Sequence, residues 1–277
     1  MTNKKLPTYF ISHGGGPWPW LKEEMPFFET LETSLQQIPK QLGRPPKAIL
    51  MVSGHWEEKT FAVMGNPQPP MLYDYHGFPE QTYKIIYPAP GMPELAHDVQ
   101  TLLQNAGFPT QIDTQRGFDH GAFVPAFSIY PDATAPMIQL SLNATYDPET
   151  HLKAGRALAP LRDRDILIIG SGLSYHNLRA MMTRNPAAET ATKQFDAWLQ
   201  TTLLHSSPAE RWQRLCQWSE APSARQAHPQ EDHLLPLMVA LGAAEHEPAT
   251  LVYHENAFMG HITASSFGFG LEPTSES

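Results

Sequence analysis

The stretch Ala48-Ile49-Leu50-Met51-Val52-Ser53-Gly54-His55-Trp56 decides how this chain is read. An apolar run of strand length stops at a Ser-Gly turn, and a histidine stands just past it. A short continuous apolar run of this kind fits a strand buried on both faces. Such strands build α/β sheets, whose ligand sites lie beyond the carboxyl ends of the strands. The pattern recurs. Tyr9-Phe10-Ile11-Ser12 runs into His13 and then Gly14-Gly15-Gly16-Pro17. Ile166-Leu167-Ile168-Ile169-Gly170-Ser171-Gly172 runs toward His176. Three apolar strands thus carry three histidines toward one edge of one sheet.

Working outward, the periodicity predicts an amphipathic helix over 26–38, with Phe27, Phe28, Leu31, Leu35 and Ile38 on one stripe. Strands are expected at 7–12, 47–53 and 60–64. A loop-rich region over 65–90 holds Tyr73-Asp74-Tyr75-His76-Gly77-Phe78-Pro79, and a helix over 93–105 ends at Gly107. An alternating strand follows at 136–142. Asp147-Pro148-Glu149 supplies a cap and a first-turn proline for a helix reaching about residue 162. A strand at 165–170, a helix at 187–204, an apolar helix at 233–242 and strands at 249–254 and 261–268 complete the chain. Strands and helices alternate throughout. The expected fold is therefore α/β: a single domain over 1–277 with a central mixed, mostly parallel sheet flanked by helices.

Composition narrows the function. The chain has 277 residues, 41% hydrophobic and 17% charged, as a folded globular protein does. A net charge of -9 is the wrong sign for a nucleic-acid surface. The single cysteine, Cys216, excludes an internal disulfide and fits a reducing compartment. Met1 to Lys5 is polar and leads straight into a strand, and no apolar run of about 20 residues occurs. The expectation is a soluble, cytoplasmic protein with no membrane or nucleic-acid partner. The 27 prolines imply long, stiff loops, where sites concentrate.

Of the 13 histidines, most invite a structural reading, since a lone histidine is more often structural or exposed than a ligand. His97, His151, His205, His246 and His254 fall in helical, polar or late-strand contexts. His13 and His55 stand at strand ends beside glycine, which lets a ligand approach the backbone. His176 follows a Gly-Ser-Gly turn, and His120 lies between Asp119 and Gly121. His228 and His233 bracket His-Pro-Gln-Glu-Asp-His before an apolar helix, where a neutral, metal-bound imidazole avoids conflict with the helix dipole. Three imidazoles with open positions suit Zn or Fe(II). Glu57, Glu231 and Asp232 are the carboxylates near enough in sequence to join or support them. Two other motifs fail. His13-Gly14-Gly15-Gly16 lacks the G-x-S-x-G nucleophile that lipase-like enzymes require. A dinucleotide fingerprint fails because Pro19 occupies its last glycine position.

Seven ordered segments carry a resemblance. They are Ser12-His13-Gly14, Ser53-Gly54-His55-Trp56, Gly77-Phe78-Pro79, Tyr87-Pro88-Ala89-Pro90-Gly91, Phe118-Asp119-His120-Gly121, Gly170-Ser171-Gly172 with His176-Asn177, and Asp232-His233-Leu234-Leu235-Pro236-Leu237. Together the chain resembles the class III extradiol ring-cleaving dioxygenases of the DOPA-dioxygenase type, relatives of the protocatechuate 4,5-dioxygenase catalytic subunit. The resemblance implies one divalent metal per chain, Fe(II) for activity or Zn(II) as found bound. It puts His13, His55 and His233 on the ligand positions, His176 on the acid/base position and His120 on a substrate-contacting one. One departure is visible: Gly14-Gly15-Gly16-Pro17 stands where Gly-Ser-Pro is usual, one residue longer.

The implied reaction is O2-dependent cleavage of a catechol ring next to its two hydroxyls, with His176 and His120 as the catalytic histidines. Trp18, Tyr75, Phe78 and Phe123 are candidate pocket walls. The partners are a small catechol and O2, with homo-oligomerisation left open. A zinc-dependent hydrolase using the same three histidines is the alternative, and a catalytically silent metal-binding protein is a third reading.

Overall fold

Segments rich in β-branched and aromatic residues extend into strands, and the apolar stretches between them coil. The computed structural model describes residues 5–272. The outer ends of the expected 1–277 domain, and most of the polar lead at Met1 to Lys5, lie outside the described residues. The strands are β1 (Thr8–Ser12), β2 (Ala48–Glu58), β3 (Phe61–Met64), β4 (Thr110–Asp113), β5 (Met137–Asn143), β6 (Ile166–Gly172), β7 (Ala249–Phe258) and β8 (Ile262–Phe269). The helices are α1 (Glu29–Gln36), α2 (Ile38–Leu42), α3 (Pro93–Asn105), α4 (His120–Ile129), α5 (Pro148–Leu158), α6 (Leu178–Met182), α7 (Pro186–His205), α8 (Pro208–Cys216), α9 (Ala224–Ala227) and α10 (Leu235–Gly242).

All these strands join one sheet in the order β4-β3-β5-β2-β6-β1-β8-β7. The four central strands, β5, β2, β6 and β1, run parallel. β8 lies antiparallel to β1, β7 to β8, and β3 to β5. The fold is the expected α/β arrangement with a mixed, mostly parallel sheet. Among the described residues no helix is long and apolar enough to cross a membrane.

Two helices are apolar on nearly every side because each is an inner layer. α10 is buried along its whole length and packs on β6 and β1, with α5 over it. α4 packs on β2 and β6, with α1 over it. The expected 26–38 helix is broken into a 3-10 turn at Pro26–Phe28, then α1, then α2, which restarts around Pro39. Proline has no N–H for the helix ladder, so the first helix cannot continue through it. β4 and α8 were not anticipated. β4 is a four-residue edge strand, and α8 is a polar surface helix held by a Ser207–Glu210 capping box.

Candidate metal centre

β2, β6 and β1 are neighbours, so their carboxyl ends meet at one edge. Ser12 pairs with Gly172 and Ser53 pairs with Ser171. His13 is the first residue past β1, and its backbone N–H donates to the Gly172 carbonyl at 3.1 Å. Gly14 turns the chain there with φ +78, and its missing Cβ admits the Trp18 ring. Trp18 Nε1 then donates to the His13 carbonyl at 2.8 Å, which fixes the loop. β2 does not stop at Ser53 but continues to Glu58. Its pairing with β5 jumps from Val52↔Leu140 to Glu57↔Leu142. His55 therefore sits in a bulge, a feature that re-aims side chains.

His233 arrives from far along the chain by lying on a glycine track. A Cβ on Gly172 would stand 2.1 Å from the His233 carbonyl oxygen, and one on Gly170 would stand 2.2 Å from that of Pro236. The Leu173 N–H donates to the His233 carbonyl at 3.1 Å, which pins the segment to β6. On the other face, Ser53 donates to Asp119, the cap of α4, at 2.7 Å. That cap also accepts from Gln139 at 2.8 Å and Arg116 at 2.9 Å, so Asp119 is a buried structural hub that sets His120 at the start of α4.

Five imidazoles converge at this edge. Ring centroids separate His13 from His55 by 5.0 Å, from His233 by 5.1 Å and from His120 by 5.5 Å. His55 and His120 are 4.0 Å apart, and His176 stacks on His233 at 3.3 Å and 15°. Donor atoms of His13, His55 and His120 all lie within 4.8 Å of one another, as do those of His176, Asp232 and His233. The Nε2 atoms of His55 and His233, 3.2 Å apart, join the two groups.

Two carboxylates back these rings. Asp232 Oδ2 lies 2.6 Å from His233 Nδ1 and 3.9 Å from His176 Nδ1. Asp74, a residue to which the motifs assigned no role, accepts from the His120 backbone N–H at 3.0 Å. Its Oδ1 is 2.8 Å from His120 Nδ1 and its Oδ2 is 3.4 Å from His55 Nδ1. The other two carboxylates considered point elsewhere. Glu57 accepts from the Tyr146 hydroxyl, and Glu231 pairs with Arg225 at 2.7 Å.

The centre tests well as a metal site. Both ring nitrogens of His13 are buried with no hydrogen-bond partner. Burial, then the nearby His55, His233, His120 and His176, holds His13 well below the usual histidine range. Burial and His120 likewise lower His55 to about 3, against the opposing pull of Asp74. Neutral imidazole is the form that binds metals. A carboxylate oxygen stands near Nδ1 of both His55 and His233, which favours the proton there and leaves the two Nε2 lone pairs facing each other at 3.2 Å. A cation between them removes that repulsion. Two nitrogens about 2.0–2.1 Å from a tetrahedral ion stand about 3.3 Å apart, which matches.

The remaining sequence candidates sort clearly. His228 is buried, its Nε2 is 3.0 Å from the Ser174 carbonyl, and its ring packs on Phe195 and Trp218. His151 is buried with both nitrogens bonded, to Asn143 N and Asp147 O. Tyr75 stands 5.8 Å from His120, and Phe78 packs on Tyr75 at 5.5 Å. Trp18 and Phe123 are fully packed inside the fold, the former under the His13 loop and the latter against Tyr73 and Trp20.

Imidazoles gathered at the carboxyl edge of an α/β sheet and braced by carboxylates, with His13 and His55 held neutral, fit a non-haem metal centre. Comparison with known proteins gives this centre its family. Residues 7–270 match the family described as the catalytic LigB subunit of aromatic ring-opening dioxygenase. The chain is 37% identical to a 4,5-DOPA dioxygenase extradiol of Beta vulgaris over 95% of this chain and 96% of that one. It is 32% identical to a protein of the same name from Escherichia coli (strain K12), over 98% and 97%. The crystal structure of an uncharacterized Escherichia coli K12 protein superposes with a TM-score of 0.73 at 29% identity, covering 96% of this chain and all of that one. The chain belongs to the LigB family and is a class III extradiol ring-opening dioxygenase. The comparisons do not favour the zinc hydrolase alternative.

Proposed function

We propose that the chain opens a catechol-type ring beside its two hydroxyls, with one divalent metal held by His13, His55 and His233. His176 is the acid–base group and His120 contacts the substrate. The carrying observation is the 3.2 Å approach of the His55 and His233 Nε2 atoms beside the unpartnered, buried His13. A bound Fe(II) supplies Lewis acidity toward the catechol oxygens and a position for O2, and Zn(II) fits the same ligands without the redox chemistry.

The side chains do the rest. His13, His55 and His233 each present a neutral nitrogen, two of them fixed in tautomer by carboxylates. His176 lies against His233 but its nearest carboxylate oxygen, on Asp232, is 3.9 Å away, beyond hydrogen-bond reach. Burial, opposed by Asp232, lowers His176 to about 4, so its ring is neutral and free to take a catechol proton and return it later. His120, tied to Asp74, meets a substrate hydroxyl. Tyr75 and Phe78 supply an apolar wall for the ring and exclude water.

The names of the 4,5-DOPA dioxygenase relatives support 4,5-DOPA as the first candidate substrate to test. The proposed setting is the cytoplasm, with the 1–277 chain as one catalytic unit acting on a small molecule rather than nucleic acid or membrane. An oxygen-electrode trace on Fe(II)-reconstituted protein, with a panel of catechols including DOPA, tests the reading. The expected result is stoichiometric O2 uptake with a yellow ring-opened semialdehyde. A fully Fe(II)-loaded protein that consumes no O2 with any of them refutes it.

A further inference from the structure

Asp74 sits where two segments of the chain are stitched together. Leu72 N–H donates to the Phe118 carbonyl at 2.7 Å and Phe118 N–H to the Pro70 carbonyl at 2.8 Å. This brings residue 74 beside the start of α4. Its neighbours on both sides are anchored by their hydroxyls. The Tyr73 hydroxyl donates to the Ile85 carbonyl at 2.7 Å, and the Tyr75 hydroxyl to the Thr82 carbonyl at 2.5 Å. The two anchored tyrosines hold the segment on either side of Asp74, whose carboxylate reaches the histidines. Its two oxygens are then divided. Oδ1 takes both the backbone N–H and Nδ1 of His120, at 3.0 and 2.8 Å, and Oδ2 faces His55 Nδ1 at 3.4 Å.

A carboxylate accepts hydrogen bonds and does not donate them, so each facing Nδ1 must carry the proton. That fixes which nitrogen of each ring is left with a lone pair. For His55 the consequence is visible, since its Nε2 is the atom that approaches His233 Nε2. For His120 the same logic leaves Nε2 as an acceptor.

We propose that Asp74 is a positioning residue that sets the tautomers of His55 and His120 together, so that His120 meets the substrate as a hydrogen-bond acceptor from a hydroxyl. The inference rests on the proposed function for the identity of the substrate, but not for the tautomers. Asp74 links a metal ligand to a substrate contact, so one substitution perturbs two properties at once. Its loss weakens metal binding through His55 and substrate binding through His120.

The test uses full-length, zinc-loaded protein with 15N-labelled histidine, and compares wild type with Asp74→Leu and Asp74→Glu. In the wild type, His120 is expected to show Nδ1 protonated and Nε2 bare. In Asp74→Leu, which keeps the shape and removes both acceptor oxygens, His120 is expected to shift toward the Nε2–H tautomer. Zinc affinity by chelator competition should fall about 10–100-fold, the usual effect of losing a ligand's carboxylate partner. At saturating Fe(II), KM for a catechol should rise more than kcat falls. Asp74→Glu should restore the wild-type tautomer in part. A wild-type His120 with a protonated Nε2, or an unchanged His120 tautomer in Asp74→Leu, overturns the proposal. Expected tautomers in a protein that consumes no O2 with catechols leave Asp74's positioning intact and refute the proposed reaction instead.

Discussion

Gly172→Ala isolates the packing that brings His233 to the site. The added Cβ would stand 2.1 Å from the His233 carbonyl oxygen and 3.0 Å from its carbon, whereas ordinary contact begins at 3.4 Å. The two backbones must therefore separate by about 1 Å. Neither side yields easily. β6 is held between β2 and β1, and the His233 carbonyl is bonded to Leu173 N–H at 3.1 Å. Overpacking of this kind costs about 1–3 kcal/mol, and the stretched hydrogen bond adds about 1 kcal/mol. A metal site tolerates roughly ±0.2 Å in its ligand distances, so a shift of about 1 Å takes His233 out of range. Thermal unfolding and zinc competition on the same sample measure both effects. Gly15→Ala is the control, because its Cβ meets nothing closer than Phe28 Cζ at 3.9 Å, and it should change neither by more than about 0.5 kcal/mol. A Gly172→Ala protein with wild-type melting and wild-type zinc affinity would refute the glycine-track account.

Three further outcomes are expected. His13→Ala, His55→Ala and His233→Ala should each lower metal affinity by at least 10–100-fold, whereas His120→Ala should keep stoichiometric metal; metal analysis after dialysis distinguishes them, and a metal-free His120→Ala would reassign that ring as a ligand. His176→Ala and His176→Phe should retain metal and catechol but lose ring cleavage by roughly 10²–10⁴-fold; joint loss of metal and turnover would make His176 a ligand. Burial, opposed by the hydrogen bond to the Asp147 carbonyl, lowers His151 to about 4. Its folded pKa lies below the unfolded value of about 6.5, so the unfolded chain takes up a proton first as pH falls. The stability is present above about pH 6.5 and declines by about 3 kcal/mol toward pH 4. His151→Asn should flatten that limb by about one proton in urea titrations run at several pH values, and an unchanged slope would contradict it.

The sheet was legible because its central strands are continuous apolar runs that end at glycine. Tyr9-Phe10-Ile11, Ala48 to Val52 and Ile166 to Ile169 need no long-range information to be read as buried strands. The convergence of His13, His55 and His176 followed from those ends, and β2, β6 and β1 are indeed adjacent. What escaped depends on contacts between distant segments. The bulge at His55 is set by β5. Gly170 and Gly172 looked like a failed nucleophile turn, yet they are spaced two apart so that both leave room for the 233–236 backbone. Asp74 lies in a quoted motif, but its partners come from β2 and α4, far along the chain. One signal for it was present: an aspartate between two tyrosines in a proline-rich loop, a carboxylate set among aromatic rings.

The longer glycine loop after β1 can be weighed against this architecture. An extra residue displaces a metal ligand only if the loop's slack is passed back to that ligand. Here it is not. The His13 N–H is fastened to Gly172 on one side and its carbonyl to Trp18 Nε1 on the other. Gly14 and Gly16 take up the added length in left-handed turns, at φ +78 and +60, and the Phe78 ring closes over Gly16. Both glycines can adopt these angles without the penalty a side chain would incur. The same division holds for the other two proposed ligands: His55 is held by β2 and Asp74, His233 by β6 and Asp232. Each of these three rings is gripped by a strand on its backbone side and by a loop or carboxylate beyond. The loops at this edge can therefore vary in length while the nitrogens that meet the ion stay in register with the sheet.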